Sequence, residues 1–152
     1  MKALALLAAL AATPATALSC LRPDPLTSFD AAAQSDLPYL VLSGTITLTG
    51  PAPAEGQPAA VAARLTGTGL SPEGLSVPFD EAITLDRQCS GPWCGFLPGD
   101  DPVLVFARVD GDRPLVELNP CGTWVFPAPD AQTEAALVAC LERGACSAQP
   151  LE

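Results

Sequence analysis

The sequence predicts a mainly β protein, a small closed or nearly closed barrel of about five short strands with a helix at its end. Three observations predict it. The 17 Pro and 12 Gly residues chop the chain into short segments. Several of these segments are rich in β-branched and apolar residues, YLVLSGTITL (39–48) and VLVFARV (103–109) above all. One convincing helix, residues 131–143, carries both a start and a stop signal. An immunoglobulin-like sandwich ranks second, because it needs about seven strands and usually lacks a terminal helix.

The elements follow in order. Residues 27–34 (TSFDAAAQ) form a short helix opened by a Thr or Ser cap. Residues 39–48 are a strand with one glycine inside, and 51–58 are a Pro/Ala/Gly loop. Residues 61–70 and 75–85 alternate well enough for two more strands. Residues 103–109 are the clearest strand, buried on at least one face. Asp110-Gly111-Asp112 turns that strand into 115–118, with the residue types a hairpin requires. A last strand covers 123–126. In the closing helix Asp130 caps the start, Leu137, Val138 and Leu141 make an apolar stripe, and Gly144 ends it.

The first residues are an export signal. Met1-Lys2 precedes the apolar run ALALLAALAA, then a Thr13-Pro14 break and the small-x-small pattern Ala15-Thr16-Ala17. Residues 1–17 therefore read as a signal peptide and 18–152 as a single exported domain. The apolar run falls short of the roughly 20 residues that span a bilayer, and nothing later approaches them, so no membrane insertion is expected. Ala17-Leu18-Ser19 is a poor lipobox, with its Leu one position late, and a lipid anchor at Cys20 would leave an odd thiol. All six cysteines follow the leader. In an oxidising compartment they read as a disulfide framework of a periplasmic or secreted protein.

Charge and composition exclude several functions. Seven basic residues stand against 17 acidic ones, a formal charge of −10, which argues against nucleic acid and other polyanions. The chain has no His, so there is no Ser-His-Asp or Cys-His catalysis and no imidazole metal site. Ser43, Ser71, Ser76 and Ser90 have no general base and no nucleophile-elbow pattern. Asp100-Asp101 and the Asp110/Asp112 pair lack the patterned calcium loop ending in Glu, and read as solvated turns. No cofactor, no metal and no enzymatic activity are expected.

Trp93-Cys94-Gly95 looks like the start of a thioredoxin-type redox site, but the second cysteine is absent and position 97 is Leu. Cys89 lies upstream across Ser90-Gly91-Pro92, a turn sequence that brings the two sulfurs together, so a structural disulfide closing a tight loop is the reading. Trp93, Phe96 and Trp124 read as core, because a chain with 5% aromatic residues has few others to fill a barrel. They are also the aromatics that matter if exposed.

The chain resembles the netrin-like module, and within it the N-terminal domain of the tissue inhibitors of metalloproteinases. The first match is Cys20, Pro23, Pro25 and Phe29, with Asp36 before YLVLSGTITL. The second is Cys94-Gly95, the Pro98-Gly99-Asp100 turn, VLVFARV, Asp110-Gly111, Leu115 to Leu118 and Cys121. The third is a helix ending near Cys146. Each piece is short, but together they cover most of residues 19–146.

The resemblance implies a five-stranded OB-type barrel with helices packed on it. Two cysteines of the family pattern are missing: Leu18 stands in place of the first and Asp30 in place of the third. Their partners in that pattern would be Cys94 and Cys146. The extra cysteines, Cys89 and Cys140, lie close to those orphans. The resemblance thus implies the pairs Cys20–Cys121, Cys89–Cys94 and Cys140–Cys146. The expected function is a non-catalytic binding module for a protein partner, with Leu18, Ser19, Trp93 and Phe96 as candidate binding residues. In the family, the amine and carbonyl of the first cysteine chelate a protease zinc, so the alternative is a metalloprotease inhibitor whose partner is a zinc endopeptidase.

Overall fold

The computed structural model describes residues 19–147; the leader 1–17, Leu18 and residues 148–152 lie outside the described residues. Helix α1 (Pro25–Ala33) is followed by β1 (Tyr39–Leu48), β2 (Ala59–Ser71), β3 (Gly74–Arg87), β4 (Cys89–Ser90), β5 (Trp93–Cys94), β6 (Val103–Val109), β7 (Pro114–Leu118), β8 (Val125–Pro127) and α2 (Ala131–Arg143). The main sheet runs β1-β2-β3-β7-β6, and β1 pairs again with β6, which closes a five-stranded barrel. The β3–β7 pair is parallel and all others are antiparallel, the strand order of an OB-type barrel. β8 adds to the outer side of β6, where Phe126 faces Leu104.

Closure depends on β1 changing partner midway. Tyr39 to Gly44 pair with β6, and Leu42 to Leu48 pair with β2. At the change Gly44 stands opposite Gly67, and a Cβ on Gly67 would sit 2.0 Å from the Ser43 carbonyl oxygen. Neither position admits a side chain, which lets the two backbones approach closely enough for the sharp turn of the barrel wall.

Two cores share β6. Its run of consecutive apolar residues is buried on both faces. Val105 and Ala107 point into the barrel with Leu42, Ile46, Leu65 and Ile83. Leu104 and Phe106 point outward and meet Phe29 of α1, Phe126, and Leu137 and Cys140 of α2. A strand buried on both sides loses the alternation of a surface strand, which is why VLVFARV is the clearest strand in the sequence.

β2, β3 and β7 start one or two residues before their expected bounds, and the starts of α1 and the last strand differ for identifiable local reasons. α1 begins at Pro25, capped by Asp24, whose carboxylate accepts from Thr27 N–H at 3.1 Å, not by a Thr or Ser. Proline at the first helical turn has its ring torsion already set and no N–H to satisfy, so the helix starts two residues early. The last strand begins at Val125 because Asn119 Oδ1 accepts from the N–H groups of Cys121 and Thr123, at 3.1 and 3.2 Å, and holds the preceding residues in a turn. α2 keeps its expected bounds, with Asp130 accepting from Thr133 N–H at 2.7 Å and Gly144 left-handed at φ 77°.

The disulfides join Cys20 to Cys121, Cys89 to Cys94 and Cys140 to Cys146, the same three pairs that the resemblance implies. Three bridges in so small a protein are those of a chain that matures in an oxidising, extracytoplasmic environment. Among the described residues no helix is long and apolar enough to cross a membrane.

Candidate functional site

The first candidate surface is built on the short hairpin between β3 and β6. Cys89 and Cys94 face each other across β4 and β5, and their disulfide closes the stem. The stem is fastened to the end of β7 by its backbone. Gln88 N–H donates to the Leu118 carbonyl at 3.0 Å, and Gly95 N–H to the Gln88 carbonyl at 2.9 Å. Arg87 Nε donates to the Gly95 carbonyl at 2.9 Å. A Cβ on Gly95 would lie 1.8 Å from the Leu118 oxygen, so only glycine permits this contact.

That attachment turns two aromatics outward. Trp93 is 57% exposed and Phe96 87%, so both depart from the core reading. Leu97, next to Phe96, packs on the barrel core instead. The stem needs no apolar side chain because backbone hydrogen bonds, the Arg87 guanidinium and one disulfide hold it. Trp124 behaves as expected of a core residue: it stacks on Tyr39 with ring centroids 5.1 Å apart and packs against Phe106.

The N-terminal segment reaches the same end of β7. Cys121, three residues past Leu118, holds Cys20, and Ser19 and the exposed Leu21 flank that bridge. Ser19 is exposed. The structure thus brings three of the four candidate binding residues, Ser19, Trp93 and Phe96, to segments anchored at the end of β7. Leu18, the fourth, lies outside the described residues.

The second surface is a groove of about 620 Å³ on another side of the barrel, which the sequence reading missed. Residues 39–41 of β1 stay with β6, while the outer ends of β2 and β3 run on past β1 as a free hairpin. The gap between them is walled by the end of α1 and the turn after it. A register shift between Gly69 and Leu70 bends the hairpin, and Glu134 of α2 holds its tip by accepting from Leu75 N–H at 2.8 Å. Leu37, Leu40, Val77 and Leu141 rim the groove, each exposed. Tyr39 forms part of its wall, and burial, then the nearby Glu117 charge, pushes its phenol above the ordinary value. The groove depends on pairing between distant strands, so no local pattern announces it.

Arg108 sits opposite Tyr39 and pairs with Glu117 at 2.7 Å. Asp110 and Asp112 are exposed at the β6–β7 turn, as are Asp100 and Asp101. Among the described residues no group of three or more Cys, Asp or Glu side chains is placed to hold a metal ion. No protein family, curated protein or solved structure matches the chain.

Proposed function

We propose that this disulfide-bonded barrel is a non-catalytic binding module that recognises a protein partner through the Trp93–Phe96 hairpin. One observation carries the reading: two large aromatic side chains stand in solvent on a stem fixed by a disulfide and by backbone contacts to β7. Exposing two such groups forgoes burial that a small core would otherwise gain. Rigid aromatic anchors lose little conformational freedom on binding and dominate the energetics of many interfaces. The acidic balance of the chain favours a partner with a cationic patch.

A photo-crosslinking residue in place of Phe96, in cells that export the protein, tests this. A discrete adduct with one protein, absent when the same residue replaces Glu73 in the exposed β2–β3 turn, at the opposite end of those strands from Arg87, supports it. No adduct, or the same adducts from both positions, overturns it.

A second reading, inhibition of a zinc endopeptidase through the mature N-terminus, is favoured by the Cys20–Cys121 bridge, which fixes the start of the domain to the segment just past β7. The two residues ahead of Cys20 lack the disulfide that orients the family's terminal amine. Ordering them costs about 1–2 kcal/mol each in backbone freedom, so inhibition is weak on this account. Titration against zinc endopeptidases with a terminus at Leu18 tests it; stoichiometric nanomolar inhibition, lost on adding one residue, makes this the leading reading. The engagement of the Cys20 sulfur with Cys121 supports a chain that carries no lipid on that residue.

A further inference from the structure

We propose that the groove between α1, β1 and the β2–β3 hairpin is a binding site for a single-chain amphiphile, an aliphatic chain with a cationic head group. This site is separate from the aromatic hairpin, and neither reading depends on the other.

The shape and the lining point to a small apolar ligand. A volume of about 620 Å³ lies within the range of small-ligand sites. Four large apolar side chains at its rim, Leu37, Leu40, Val77 and Leu141, remain exposed. Together they leave apolar surface at the mouth, which solvent disfavours and an alkyl chain would cover.

Gly69, on the groove wall, is the second observation. Its φ is not positive, and a Cβ there would meet nothing closer than Leu42 Cδ2 at 3.4 Å, an ordinary contact. Gly44 and Gly67 are required by close backbone approach; Gly69 is required by neither approach nor turn. Glycine weakens a strand interior and often marks a bulge; here Gly69 stands at the register shift with Leu70, and its missing side chain also leaves the groove wall open.

Few polar side chains line the groove. Apart from the Tyr39 phenol, the polar side chains lining it are the neighbours Ser35 and Asp36. Such a lining, with few polar side chains among many apolar ones, suits a molecule with one polar end and an apolar remainder. Asp36 is the one charged lining residue, and no Arg or Lys lines the groove among the described residues. With a formal charge of −10 on the chain as a whole, a cationic head is favoured over a carboxylate or phosphate.

Titration calorimetry of the exported protein with decyltrimethylammonium and with decanoate, each below micelle formation, tests the proposal. The expected result is saturable one-to-one binding of the cation, with the anion weaker by at least about tenfold. Gly69→Val, which fills the groove, weakens the cation by at least about tenfold, and Asp36→Asn, which leaves the groove open, removes most of the preference for it. No saturable binding, equal affinity for the anion, or a Gly69→Val variant that is folded and binds normally overturns it. So does a concentration-dependent dimer that Gly69→Val dissociates, since a second copy would then be the occupant.

Discussion

The carboxylate of Asp30, on α1, accepts hydrogen bonds from the backbone N–H groups of Cys146 at 2.5 Å and Ser147 at 2.9 Å, just past the end of α2. This carboxylate ties α1 to the segment after α2, and Cys146 in that segment is bonded to Cys140 of α2.

The hydrogen bond from Cys146 N–H is the main influence holding the Asp30 carboxyl below its ordinary value. A depressed folded-state value means that the stabilisation is fully present above the unfolded value and is lost as pH falls through the folded one. Asp30→Asn therefore lowers the denaturation midpoint at pH 7, and the gap to the native protein closes in acid below pH 4. Amide exchange at Cys146 and Ser147 accelerates in the variant at neutral pH. A midpoint gap that is the same at pH 7 and in strong acid would contradict this.

The long disulfide restrains the unfolded chain most. Cys20 and Cys121 are 101 residues apart, against 5 and 6 for the other pairs. In the chain-entropy description the long bridge contributes about 4–5 kcal/mol and each short one about 2 kcal/mol. Replacing Cys20 and Cys121 by Ser should cost roughly twice as much as replacing Cys89 and Cys94, measured by denaturant unfolding under oxidising conditions.

Glycines in the barrel wall differ sharply in what they tolerate. Gly67→Ala places a Cβ 2.6 Å from Gly44 Cα, backbone that cannot rotate away. It should cost about 3 kcal/mol, at the upper end of overpacking penalties. Gly69→Ala meets only a side chain at 3.4 Å and should change stability by less than about 0.5 kcal/mol. Thermal unfolding of the two variants side by side checks the contrast.

Much of this architecture is legible in the sequence where the cause is local. The bounds of β1, β6 and α2 follow from β-branched runs and from Asp130 and Gly144, which act within one turn. The start of α1 is misread when Thr27 or Ser28 is taken as the cap, because Asp24-Pro25 is the stronger signal. The Ser28 hydroxyl is instead buried and donates to the Thr123 carbonyl at 2.6 Å. The exposure of Trp93 and Phe96 is not legible, since it rests on a backbone contact between Gly95 and Leu118 that no apolar periodicity encodes. The groove is hidden for a similar reason: it exists where β1 leaves β2 at Leu42 and Gly69.

The central claim is that Trp93 and Phe96 form the recognition surface. The most direct measurement is the affinity of the crosslinked partner for the native protein and for the Trp93→Ala/Phe96→Ala double variant. Both side chains are exposed, so the variant should keep its fold and stability. The account predicts a loss of affinity of at least about a hundredfold, the scale of two truncated anchor residues. An affinity within about twofold of the native protein, at unchanged stability, would contradict it.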